Sequence, residues 1–179
     1  MKTKLFIFCM LYCLSAVIST PSFARHVRAG TLLGLMQQPA SEYYTAIYGG
    51  EATIGEEYVT TMSYLERPKF RASGFEDQER GYFLFGGAKL THGKIGGLFA
   101  KLGFGTMQGY IKSLEDGTSS TYSLSGPAAE LQYIFSWRLG ELSFAHRMFA
   151  AYSTKEQFKA YVLWPYSYFT INFTYLFSL

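Results

Sequence analysis

The sequence predicts an all-β protein: an eight-stranded antiparallel transmembrane β-barrel with tight periplasmic turns and longer external loops. Three observations predict it. Stretches of roughly ten residues alternate bulky with small or polar side chains along most of the chain, and a period of two is the signature of a strand. Short and long connections between these stretches also alternate, the asymmetry expected of a barrel in an outer membrane. Finally, an export signal at the N-terminus is followed by no cysteine, so disulfides, the usual support of a small exported domain, are not available.

The chain has 179 residues, 16 Lys+Arg and 13 Asp+Glu, with 49% hydrophobic and 18% aromatic residues and a mean hydropathy of +0.04. That length suits one domain. Charged residues make up 16%, below the roughly 25% of an ordinary soluble domain, and Asn172 is the sole asparagine. So much Tyr, Phe and Leu excludes a disordered chain. A scattered net charge of +3 excludes a nucleic-acid partner.

Lys2 and Lys4 precede an apolar stretch from Leu5 to Ile18, and Pro21-Ser22-Phe23-Ala24 ends on small residues. This is a secretory signal cleaved after Ala24, which divides the chain into a signal peptide, 1–24, and a barrel, 25–179. The apolar stretch is shorter than the roughly 20 residues a membrane span needs. Cys9 and Cys13 both fall inside it, without the small-residue triplet of a lipidated cysteine. Its removal leaves 14 basic against 13 acidic residues.

Beyond residue 24 no window holds 18 apolar residues in a row, so no spanning helix is predicted. The eight alternating stretches are about 26–37, 43–54, 57–67, 81–92, 94–110, 121–138, 141–153 and 167–178. With the bulky face outward, the first sends Arg28, Gly30 and Gly34 inward and the second Gly49 and Glu51. The third fits either parity between Tyr58 and Leu65. The fourth points Phe83, Phe85, Gly87 and Lys89 inward. In the fifth, Leu98, Ala100, Leu102 and Phe104 face out, with Phe99, Lys101, Gly103 and Gly105 opposite. The sixth turns Leu131, Tyr133, Phe135 and Trp137 outward and Glu130 inward, and the seventh turns Arg147 inward. In the last, Phe169, Ile171, Phe173 and Tyr175 alternate with Thr170, Asn172 and Thr174.

Gly55-Glu56, His92-Gly93-Lys94 and Leu139-Gly140 are tight glycine-bearing turns. Between them lie longer links at Pro68–Arg80, Lys112–Ser120 and Thr154–Tyr166, and a short one at Gln38–Glu42. A periplasmic N-terminus puts Tyr44, Tyr82, Tyr110 and Tyr152 at external strand ends on the outward parity, and Trp137 at a periplasmic end. These are the two aromatic girdles of a membrane barrel. Arg28, Glu51, Lys89, Lys101, Glu130 and Arg147 are the predicted interior charges, tolerable in a narrow lumen only when paired. Turned inside out, the same alternation describes a secreted soluble barrel of lipocalin type, and the pattern alone leaves that alternative open.

The signal, the eight strands and the terminal stretch Tyr168-Phe-Thr-Ile-Asn-Phe-Thr-Tyr-Leu-Phe-Ser-Leu179 resemble the small outer-membrane barrel superfamily of the OmpA membrane domain and OmpX. The resemblance covers the mature chain as a pattern and implies fold and compartment. It also implies recognition of the last strand by the barrel-insertion machinery. A terminal Phe is usual there; here Leu179 stands at that place with Phe177 two residues back.

Chemistry is sparse. His26 lies beside the cleavage site and His92 in a turn, where solvation accounts for both. His146 falls on the outward parity between Phe144 and Met148, and an imidazole facing lipid is costly. Eight-stranded lipid A deacylases carry a lipid-facing His and Ser two residues apart on one strand, with a Glu nearby. Here the matching positions are Phe144 and Met148, and Ser143 has the opposite parity, so His146 is the one catalytic candidate and lacks an identified nucleophile. No histidine or cysteine pair has metal-ligand spacing. Glu76-Asp77-Gln78-Glu79 is an acidic loop tip whose alternatives are loose binding of a divalent ion and, the reading preferred, a solvated face; Gly103-Phe-Gly105 lacks the helix and Lys-Ser/Thr of a phosphate loop. No metal or cofactor is expected.

The leading expectation is a non-catalytic barrel with a structural or surface-interaction role, carried by Arg67, Lys69, Arg71, Glu76, Asp77, Glu79 and Arg80 in the second loop, Lys112, Glu115 and Asp116 in the third, and Lys155 to Trp164 in the fourth. Mixed charge suits lipopolysaccharide phosphates or a protein surface. The alternatives are a lipid A-modifying enzyme using His146, and a small channel or carrier for apolar solutes.

Overall fold

The computed structural model describes residues 27–37, 44–72, 74–91, 93, 96–137, 140–150, 152–153 and 166–177. The signal segment, His26, His92, and Lys155 through Trp164 lie outside the described residues. The strands are β1 (Val27–Gln37), β2 (Tyr44–Ile54), β3 (Tyr58–Ala72), β4 (Phe75–Lys89), β5 (Gly96–Ser113), β6 (Ser119–Trp137), β7 (Gly140–Phe149), β8 (Tyr152–Ser153) and β9 (Tyr166–Phe177). Every neighbouring pair is antiparallel, β1 pairs with β9, and β5 pairs with β6, so the sheet closes on itself. Closure removes the exposed edges that an open sheet would present to lipid.

The short β8 continues β7. Leu124 faces Ser153 and Ser125 faces Tyr152 in the register that already sets Ala128 against Phe149. Between these pairs Ala150 N donates to Pro127 O at 3.0 Å. Proline has no N–H with which to return the bond, which accounts for the interruption. The barrel therefore has eight walls.

Two expectations change. The stretch 68–80, read as a loop, is strand almost throughout: β3 runs to Ala72, β4 starts at Phe75, and a register shift between Arg67 and Phe70 absorbs the irregularity at Pro68. Alternating charge along this stretch is the reason, because residues that look solvated in sequence line the two sides of a hairpin. The ambiguous parity of β3 is also decided. Val59, Thr61, Ser63 and Leu65 are buried, while Tyr58 and Met62 are exposed.

The lumen is layered. At the periplasmic end Arg28 meets Glu141 at 3.4 Å and donates to Gly55 O at 2.6 Å. Val59, Phe99 and Ile134 pack above it. Next comes a layer of four charges, Glu51, Lys101, Glu130 and Arg147, bridged by the amide of Gln132. An apolar plug follows, including Leu32, Met36, Phe83, Phe85, Met107, Phe149 and Tyr168. Glycines make room for these side chains: a Cβ on Gly105 would lie 2.5 Å from the Phe83 ring. The outside is the reverse, with Leu33, Leu102, Phe104, Leu131, Phe144, Ile171 and Phe173 exposed. A barrel charged within and apolar without is built for lipid, and the soluble inside-out alternative is set aside. A lipid-facing barrel of this architecture is a bacterial outer-membrane protein.

Candidate functional site

β3 to β6 rise above the level at which β1 and β2 end. Gln37 and Tyr44 are the last pair of β1 and β2, whereas β4 and β5 remain paired up to Phe75 and Ser113. The sequence builds this wall from two hairpins. One turns at Gly74, whose φ of +82° suits glycine. The other turns through 114–118, where Gly117 has a φ of +72°. In that loop Asp116 accepts hydrogen bonds from the Ser113 hydroxyl and from Thr118, at 3.0 Å to its N and 2.8 Å to its Oγ1; these hold its carboxyl down at about 2.

The outer face of the wall is polar and mostly cationic. Lys69 Nζ lies 3.2 Å and Arg71 Nε 2.8 Å from the two carboxylate oxygens of Glu76. Lys112 is the register partner of Glu76 on β5. Two cations thus grip one carboxylate with Lys112 beside them in register, and bonds first from Arg71 and then from Lys69 hold that carboxylate below its ordinary range. Below it, Glu66 takes Tyr64 Oη at 2.5 Å, Gln78 Nε2 at 2.6 Å and Arg80 Nε at 3.3 Å. Beside them Gln78, Arg80, Gln108, Tyr110, Thr121 and Ser123 line an open groove of about 450 Å³.

The predicted loop residues therefore divide. Lys69, Arg71 and Arg80 stand exposed, Lys112 is half-buried, and Glu76 is buried beneath Lys69 and Arg71. Arg67 and Glu79 turn into the barrel mouth, each 2% exposed, at 3.1 Å from one another. Asp77 also reaches Arg67, at 2.5 Å, and Tyr122 donates to Glu79. These three residues belong to the lumen because the hairpin continues the parity of the strands below. Glu115 and Asp116 are exposed in the 114–118 loop.

Of the predicted interior charges, Arg28, Glu51, Lys101, Glu130 and Arg147 are buried, and Lys89 is half-buried with its stem across Gly97. Glu141, missed in the sequence, is the partner of Arg28. Its parity with Arg147 was the available signal.

His146 faces outward as its parity requires. It stacks on Phe169, with ring centroids 4.4 Å apart and planes 9° from parallel, and its Nε2 lies 2.8 Å from Ser167 Oγ on β9. Sequence spacing did not show this serine, because only the β7–β9 register brings it near. Among the described residues no group of three His, Cys, Asp or Glu is placed to hold a metal.

No protein-family model matches the sequence, and no curated protein matches it either. Solved structures do share the fold. Ail, the attachment invasion locus protein of Yersinia pestis, superposes with a TM-score of 0.58 at 12% identity, covering 85% of this chain and 97% of Ail. Neisserial surface protein A superposes at 0.57 and 8% identity, with 87% and 97% covered. The N-terminal β-barrel domain of Pseudomonas aeruginosa OprF superposes at 0.57 and 9% identity, with 87% and 99% covered. At these identities the likeness is one of fold: that of the eight-stranded outer-membrane barrels.

Proposed function

We propose that this barrel serves a surface-interaction role and that the wall of β3 to β6 binds an anionic partner without turnover. The observation that carries the reading is the pair Lys69 and Arg71 on the single carboxylate of Glu76, with Lys112 next to it in register. Two cations on one anion and a third basic residue beside it in register leave that corner net positive, and guanidinium and ammonium groups suit phosphate or sulfate oxygens. The adjacent groove offers amides and hydroxyls for sugar hydroxyls. A wall that rises beyond the apolar belt suits contact with lipopolysaccharide phosphates. Yersinia pestis Ail has been solved in complex with the heparin analogue sucrose octasulfate, a polyanion of the same chemistry.

Export through residues 1–24 and insertion through the last strand belong to the same proposal. So does a part for Lys155 and Trp164 in contact with a surface protein. The channel reading is less well supported: Phe83 packs edge-on against Phe149 and Tyr168, at 5.3 and 5.7 Å, across the lumen.

The test is binding of sucrose octasulfate and of lipopolysaccharide to the purified barrel, with Lys69→Ala/Arg71→Ala/Lys112→Ala as the variant. A loss of about tenfold or more is expected, steepest at low salt. Unchanged binding by the folded variant would remove the wall from the reading.

A further inference from the structure

A second surface of the barrel goes beyond that reading. We propose that Ser167 and His146 form a nucleophile–base pair on the lipid-facing wall that cleaves an ester-linked acyl chain of an outer-leaflet lipid.

Geometry carries the proposal. Ser167 Oγ lies 2.8 Å from His146 Nε2, the separation at which an imidazole takes up a hydroxyl proton. A catalytic base also has to be oriented. Here the flat stack on Phe169 and the bond to Ser167 fix the ring from two sides. Gln37 on β1 is the register partner of Ser167. It brings a carboxamide, a donor type that stabilises the oxyanion of a tetrahedral intermediate.

Depth selects the substrate. Ser167, Gln37 and Tyr44 occupy one row across β9, β1 and β2, and Tyr44 is an exposed ring at the external end of β2. Interfacial aromatics mark the headgroup level, where ester carbonyls and water are both present. From His146 an open apolar groove of about 520 Å³ runs towards the barrel waist, floored by Leu33, Leu35, Leu131, Phe144 and Ile171. A lipid whose ester carbonyl sits at Ser167 lays its acyl chain along that groove.

In the first step Ser167 Oγ attacks the carbonyl carbon while its proton passes to His146 Nε2. The ester C–O bond then breaks, and the departing alcohol oxygen takes that proton, leaving an acyl-serine. Water, deprotonated by the same nitrogen, attacks the acyl-serine, and collapse releases the fatty acid and returns the proton to Oγ. The sum is ester plus water giving acid plus alcohol.

The experiment uses the mature barrel, purified from membranes and reconstituted in vesicles of phosphatidylethanolamine, phosphatidylglycerol and lipid A. Fatty-acid release is followed by mass spectrometry, and a fluorophosphonate probe is mapped by peptide sequencing. The proposal expects release that falls at least a hundredfold in Ser167→Ala and in His146→Phe, with heat-modifiable migration showing both folded, and a probe adduct on Ser167. Gln37→Leu is expected to lower kcat with KM held. If Ser167→Ala does not fold, the adduct on the wild-type barrel decides. Absence of both release and adduct from the folded wild type, or full release by Ser167→Ala, overturns the proposal. Either failure leaves polyanion binding by the opposite wall untouched.

Discussion

Arg147 on β7 and Glu130 on β6 are register partners whose side chains meet inside the barrel, with Arg147 Nε 2.8 Å from Glu130 Oε2. Lys101 Nζ reaches the other oxygen of Glu130 at 2.8 Å and the carbonyl of Gln132 at 2.5 Å, while Glu51 lies 3.6 Å from Arg147 and 4.0 Å from Lys101. Two cations and two anions thus neutralise one another in a buried layer. Phe83 and Phe85 cap the guanidinium of Arg147, each with its ring centroid at 4.7 Å.

Glu130→Leu leaves Lys101 and Arg147 buried with only Glu51 to balance them. Removing one member of a buried ionic set costs about 3–5 kcal/mol. The urea midpoint of the barrel in detergent micelles is expected to fall accordingly. Adding Lys101→Met restores charge balance and recovers a substantial part of the loss, and a double variant no more stable than Glu130→Leu would speak against the pairing.

Leu102 is 73% exposed near the middle of β5. On a soluble barrel Leu102→Lys would be neutral or would improve solubility. In lipid a lysine near the bilayer midplane costs about 2–4 kcal/mol. Reversible unfolding in phospholipid vesicles is expected to show that penalty, and its absence would contradict a lipid-facing wall.

Gly49 and Gly30 face the lumen where strands approach closely. A Cβ on Gly49 would sit 1.8 Å from Tyr64 O, and one on Gly30 1.9 Å from Phe173 O. Backbone cannot yield as a flexible side chain does. Gly49→Val is therefore expected to destabilise by about 1–3 kcal/mol or more, seen as a lower temperature for the loss of heat-modifiable migration. Gly86→Val, where a Cβ meets nothing within 4 Å, is the control.

Asp116 organises the loop between β5 and β6. Its carboxyl is depressed from 3.8 to about 2, chiefly by the Ser113 hydroxyl and then by Thr118. A group depressed on folding contributes order that is full above its ordinary value and lost as pH falls through the folded one. The amide resonance of Thr118 is expected to stay constant down to about pH 4 and to titrate near pH 2. A midpoint at or above 3.8 would show that the turn bonds do not hold the carboxylate.

Much of the barrel was legible because lipid imposes a strict two-residue alternation. Leu98, Leu102 and Phe104 against Phe99, Lys101 and Gly105 already separate wall from lumen, and the structure keeps that division. Tyr58 to Leu65 was not legible, since Thr60, Thr61, Met62 and Ser63 satisfy either face. Pairing with β4, which sets Thr61 against Phe85 and Ser63 against Phe83, decides it. Arg67, Asp77 and Glu79 misled because charge at a hairpin tip looks the same whether it faces water or a lumen.

By itself the sequence determined the fold class, the inside-out polarity, most strand positions and five of the buried interior charges, because each depends on residues near one another along a single strand. The tertiary structure decided which charges meet, which loop residues turn inward, and that His146 has Ser167 beside it. Those outcomes depend on register between strands distant in sequence. A slip of one residue reverses every face, and the hydrogen-bonded closure of the whole barrel, rather than any local pattern, fixes that register.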